Sequence, residues 1–89
     1  MTKIEFNNNQ VKLVSDFLQN YMRKNDIISL TADDSAELLA NNGILSNEIG
    51  PKQGFNFRQM LRDGRDGKID FVKGTEQYKN GRWIIYRVL

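Results

Sequence analysis

Three carboxylates within eight residues, Asp63, Asp66 and Asp70, are the side chains whose spacing first suggests chemistry, as ligands of magnesium in a nuclease-type centre. No Gly-rich phosphate loop and no serine nucleophile motif accompanies them, and nothing in the pattern fixes them on one rigid surface. Asp66-Gly-Lys-Ile-Asp70 also resembles the middle of a calcium loop, but the spacing rejects it. With Gly67 at the required glycine position, Arg62 falls on the first ligand position, Gly64 on the third and Lys73 on the twelfth. Asp66-Gly67 reads instead as a turn. The chain contains no Cys and no His. That removes disulfides, thiolate metal sites and cysteine nucleophiles, together with the commonest general base and metal ligand. The expectation is a protein that is not an enzyme and needs no cofactor.

Charge points elsewhere. Residues 1–50 hold four Lys/Arg against seven Asp/Glu, a net −3, whereas residues 51–89 hold nine against four, a net +5. An asymmetry of this kind suggests that one face meets a polyanion. The 89 residues suffice for a single domain spanning 1–89 with one modest core. One Trp, three Tyr and five Phe argue for a packed core rather than disorder. No apolar run reaches the ~18 residues that span a bilayer, and Met1-Thr-Lys-Ile-Glu5 does not read as a signal peptide. The expected location is cytoplasmic.

The elements that must carry these charges follow from periodicity. Asn7 caps a first helix with Gln10 at the capping-box position and Phe6 and Val11 as a hydrophobic staple. Val11, Val14, Phe17, Leu18, Tyr21 and Met22 form its inner side, and Lys12, Asp16, Gln19, Asn20 and Arg23 its outer side. The helix ends near Lys24-Asn25. Ile27-Ile28-Ser29 has the pattern of a minimal strand. Thr31 to Asp34 has the form of a capping box for a second helix to Asn41, with Ala32, Ala36, Leu38 and Leu39 inside and Asn42-Gly43 as its stop. Ile44-Leu45 then tucks under the core.

Residues 46–54 form a turn-rich connection. A third helix is predicted from a cap at Asn56, with Gln59 three residues on, Phe55 and Met60 as staple, and Gly64 as its end. Phe57, Met60 and Leu61 are its buried stripe. Thr75 to Val88 reads as a β-hairpin, with Asn80-Gly81 supplying the turn favoured in two-residue loops. Trp83 and Ile85 share one face and Ile84, Tyr86 and Val88 the other. Both faces are apolar enough to make the last strand a central one.

The order is helix, short strand, helix, turn, helix, hairpin. Thr31 to Arg62 resembles the helix-turn-helix core of the winged helix-turn-helix superfamily in Ala36-Glu-Leu-Leu39, Gly43-Ile-Leu45 and Phe57-Arg-Gln-Met-Leu-Arg62. Asn80-Gly-Arg-Trp-Ile-Ile85 resembles its hairpin wing, and Leu61-Arg-Asp-Gly64 with the wing motif is similar to excisionase and MerR-type modules. The connection from Gly43 to Asn56 is longer than the 3–4-residue turn of the simplest helix-turn-helix.

The resemblance implies an α+β fold with three helices, a small antiparallel sheet and a C-terminal hairpin wing. It implies duplex DNA as partner and the third helix as the reader, with Arg58, Gln59 and Arg62 outward. Lys52, Gln53 and the Asn56 backbone would meet phosphate at the helix start, and Lys79 and Arg82 would reach the nucleic-acid backbone or minor groove. A chain this small offers few phosphate contacts, so useful affinity calls for a homodimer or a protein partner. The rival reading is a non-catalytic protein-interaction module on the same scaffold. The two differ at Arg58 and Arg62: a DNA reader keeps them free, and a scaffold pairs them internally with Asp63 or Asp66.

Overall fold

The computed structural model describes residues 6–46 and 54–88. Asn7 opens α1 (Asn8–Lys24) with a complete capping box: its side chain accepts from the Gln10 N–H, and the Gln10 side chain accepts from the Asn7 N–H. Lys12 and Asp16 pair at 2.7 Å one turn apart on the solvent side. The ammonium holds the Asp16 carboxyl below its ordinary value. Val11, Val14, Leu18 and Met22 are buried, with Phe17 and Tyr21 at the margin. Gln19, expected on the outer side, is buried and turned into the structure.

The first strand, β1 (Ser29–Thr31), lies two residues beyond the predicted Ile27–Ser29. Its register explains the shift. Leu30 pairs with Ile85 on the core side, whereas Ile28 is left exposed. Thr31 ends the strand and caps α2 (Ala32–Asn41), its hydroxyl accepting from the Asp34 N–H. Ala32, Ala36 and Leu39 are buried from this helix, as is Leu45 beyond its end.

The third helix, α3 (Phe55–Arg65), departs from its predicted ends. Its N-cap is Gly54, which carries no side-chain cap bond, so Asn56 lies inside the first turn and caps nothing. Phe55 accordingly heads the helix instead of stapling to Met60 from outside. Gly64 does not stop the helix either. It sits in the last turn, where an added Cβ would press on the Asp70 carbonyl and the Phe71 ring. The buried stripe of Phe57, Met60 and Leu61 is as expected.

All three helices close the same way. The N–H two residues past each C-cap reaches back to a carbonyl in the last turn: Ile27 to Met22 at 2.8 Å, Ile44 to Leu39 at 2.9 Å and Lys68 to Asp63 at 2.9 Å. The left-handed residue of this motif is glycine after α2 and α3 but Asp26 (φ 55°) after α1.

Two further strands, β2 (Thr75–Gln77) and β3 (Trp83–Tyr86), complete an antiparallel sheet of order β1-β3-β2. The chain is thus α+β, with three helices and a small three-stranded antiparallel sheet among its described residues. As its apolar faces imply, β3 is central. The turn is not the two-residue Asn-Gly loop. Tyr78 N–H bonds the Arg82 carbonyl and Gly81 N–H bonds the Tyr78 carbonyl, giving a three-residue loop whose last residue, Gly81, is left-handed (φ 84°). Asn80 keeps a negative φ and uses its side-chain oxygen to accept from the Arg82 N–H.

One apolar cluster joins α1, α2, α3 and the sheet, with Trp83, Ile85, Val72 and Leu45 closing it. Polar residues of α1 lock the hairpin base to this core. Gln19 Nε2 donates to the Lys73 carbonyl (3.1 Å) and the Tyr86 carbonyl (2.9 Å), while its Oε1 accepts from Val88 N–H (2.8 Å). Ser15 accepts from Lys73 N–H and Asn8 from Asp70 N–H.

Candidate nucleic-acid interface

The side of α3 away from the core carries Phe55, Arg58, Gln59, Arg62 and Arg65, all only partly buried or exposed. Arg58, Arg62 and Arg65 recur at three- and four-residue intervals and therefore form one stripe along the helix. Each guanidinium is held by the protein in a different way.

Arg58 Nη2 lies 2.6 Å from Asp33 Oδ1, tying α3 to the first turn of α2. Arg62 lies over the Phe55 ring at 5.5 Å and donates to Gln59 Oε1 at 2.9 Å. Gln59 in turn donates to the Asp63 carboxylate at 2.8 Å. Arg65 lies over Trp83 at 5.8 Å, donates to Gln77 of β2 at 2.9 Å and pairs with Asp66 at 3.2 Å. The stripe is therefore positioned rather than waving in solvent. Two of its guanidiniums lie over aromatic rings, and each of the three keeps N–H donors beyond those used in these bonds.

The hairpin brings a second set of cations to the same region. A groove of about 230 Å³ runs between the amino end of α2, Arg58 of α3 and the hairpin loop, where Asn80, Gly81 and Arg82 line it. Arg58 and Arg82 thus converge on one groove from separate elements. Lys79 projects from the same loop, and neither it nor Arg82 has an ion-pair partner among the described residues.

Of the sequence-predicted set, Arg58, Gln59, Arg62, Lys79 and Arg82 fall on this surface. Asn56 does not. Its side chain is buried, donates to the Ser46 carbonyl at 2.8 Å, and leaves its oxygen without a partner. Lys52 and Gln53 lie outside the described residues. Arg65 is the residue that sequence reasoning missed. Ending the helix at Gly64 removed it from the stripe, although its spacing from Arg58 and Arg62 carried the signal.

Internal pairing of the arginines took neither expected form. Arg58 is paired with Asp33, and Asp63 is taken by Gln59 rather than by an arginine. The Asp63, Asp66 and Asp70 carboxylates are likewise dispersed: Asp63 is buried against Gln59, Asp66 sits beside Arg65, and Asp70 is exposed. No group of three carboxylates among the described residues is arranged to hold a metal ion. No described helix is long and apolar enough to cross a membrane.

Compared with known proteins, the chain matches no family model, no curated protein and no solved structure.

Proposed function

We propose that this chain is a winged helix-turn-helix module that binds duplex DNA, with α3 as the reading helix and the β2–β3 hairpin as the wing. Its role is that of a transcriptional regulator or of the DNA-binding piece of a larger assembly. The order α1-β1-α2-α3-β2-β3 and the sheet order β1-β3-β2 support the fold reading. The observation that supports the functional one is Arg58, within the arginine stripe of α3, meeting Arg82 of the hairpin across a shared groove.

Duplex DNA offers this surface a ladder of phosphates and, in its major groove, base edges that arginine and glutamine recognise. Arg58 must first exchange Asp33 for phosphate. The carboxylate is 72% exposed, so the pair contributes less than about 1 kcal/mol and is a weak competitor. Arg62 and Gln59 are presented as a bonded pair, and the Arg62 guanidinium already rests over the Phe55 ring before any ligand arrives. Such preorganisation lowers the ordering cost of binding.

Fluorescence anisotropy with a random-sequence DNA duplex, at low and at near-physiological salt, tests the reading. Wild type should bind with a steep salt dependence, and the Arg58→Ala/Arg62→Ala variant should lose affinity and flatten the slope. Lys12→Ala on α1 should bind as wild type. Absent binding at low salt, or an equal loss from Lys12→Ala, counts against a localised site on α3.

A second reading, a non-catalytic protein-interaction module on the same scaffold, is favoured by one observation. Arg58, Gln59 and Arg62 all have partners inside the protein. Under that reading the stripe is structural, and DNA binding is weak and insensitive to salt.

A further inference from the structure

A cleft of about 320 Å³ opens between α1, β1 and α2, and its chemistry is the reverse of the arginine stripe. Tyr21, Ile27, Leu30 and Leu38 supply apolar surface, and Asp34 and Glu37 stand exposed at its margin. Neither carboxylate has an ion-pair partner among the described residues, and no Lys or Arg lines the cleft. The whole of α2 carries three acids and no cation.

We propose that this cleft receives a short segment of a partner protein in which an apolar side chain is flanked by lysine or arginine. The apolar group enters between Tyr21, Ile27 and Leu38, and the cation sits against Asp34 and Glu37. The apolar lining offers nothing to a phosphate backbone, and the two carboxylates repel one. They also disfavour a two-fold dimer through this face, because an isologous contact would set Asp34 and Glu37 of one copy against those of the other. An oppositely charged apolar segment satisfies both halves of the cleft. The inference does not depend on the DNA reading, since it uses none of the residues of the stripe or hairpin.

Two synthetic hexapeptides, one of leucine and lysine and its counterpart of leucine and glutamate, provide the probe, titrated into isotope-labelled full chain and followed by amide chemical shifts. The lysine peptide should saturate shifts around Tyr21, Ile27, Glu37 and Leu38, with the glutamate peptide at least tenfold weaker. Asp34→Lys/Glu37→Lys should invert that preference, and Leu38→Glu should abolish binding at the cleft. Both variants alter side chains at the cleft surface, so a retained spectrum elsewhere certifies their fold. Equal response to the two peptides, shifts confined to another surface, or no shift at all would overturn the proposal. Concentration-dependent shifts at the cleft without peptide would overturn it in favour of a second copy of the chain.

Discussion

Gln19 and Gly74 show how single residues fix the relation between helix and hairpin. Gln19 spends its amide on two carbonyls and one N–H from the strand ends. It can do so only because Gly74 leaves room. A Cβ at position 74 would collide with the Tyr86 carbonyl and crowd Gln19 Nε2, and the residue stands at φ 84°. Gly74→Ala therefore combines steric overlap, a strained backbone and the loss of buried hydrogen bonds, three mechanisms behind the largest point-mutant effects. A loss of about 3 kcal/mol or more is expected in denaturant titration. Alanine at Gly67, where the same left-handed backbone faces open space, should cost only about 1 kcal/mol. Equal losses at the two positions would mean that the close approach of Tyr86 does not matter.

Among the elements, the hairpin loop offers the sharpest prediction. In a two-residue turn both Asn80 and Gly81 would be left-handed, and Asn80→Gly would be neutral or stabilising. In the three-residue loop observed, only Gly81 is left-handed and Asn80 bonds the Arg82 N–H. Asn80→Gly should then lower the melting temperature slightly, and Gly81→Ala should lower it more, by about 1 kcal/mol in stability. A rise with Asn80→Gly would restore the two-residue turn.

This loop also shows where sequence reading stops. Asn7, Gln10 and Thr31 act through neighbours three residues away, so the starts of α1 and α2 were legible from local chemistry. The apolar stripes of the three helices were legible from periodicity, and the central place of β3 from its two apolar faces. What escaped depends on residues distant in sequence. Gln19 faces inward because strand ends more than fifty residues away offer it partners. Gly64 lies inside the helix rather than at its end, and its lack of a Cβ makes room for a later loop at Asp70 and Phe71. Arg65 joins the stripe as a consequence. Asn56 sits where a cap was expected, but the carbonyl of Ser46 draws its side chain inside.

At the scale of the whole molecule, every described element except β2 feeds one apolar cluster, and Trp83, the sole tryptophan, lies within it. Unfolding should accordingly be a single cooperative event. Tryptophan fluorescence, which reports the hairpin, and far-ultraviolet circular dichroism, which reports the helices, should give coincident transitions in urea. Separate midpoints would mean that the hairpin detaches on its own. Cooperativity of this kind lets the stripe and the hairpin cations act as one surface, because neither can shift without disturbing the core beneath. The position of β3 has a further consequence for the order of events during synthesis. Both other strands pair only with β3, so β1 has no partner until about fifty more residues have been made. At ~5–20 residues per second, the nascent chain spends several seconds with β1 made and no strand to pair with it. During that interval Leu30 and the inner face of α1 are exposed to chaperones and neighbouring chains, and the emergence of Trp83–Tyr86 ends it.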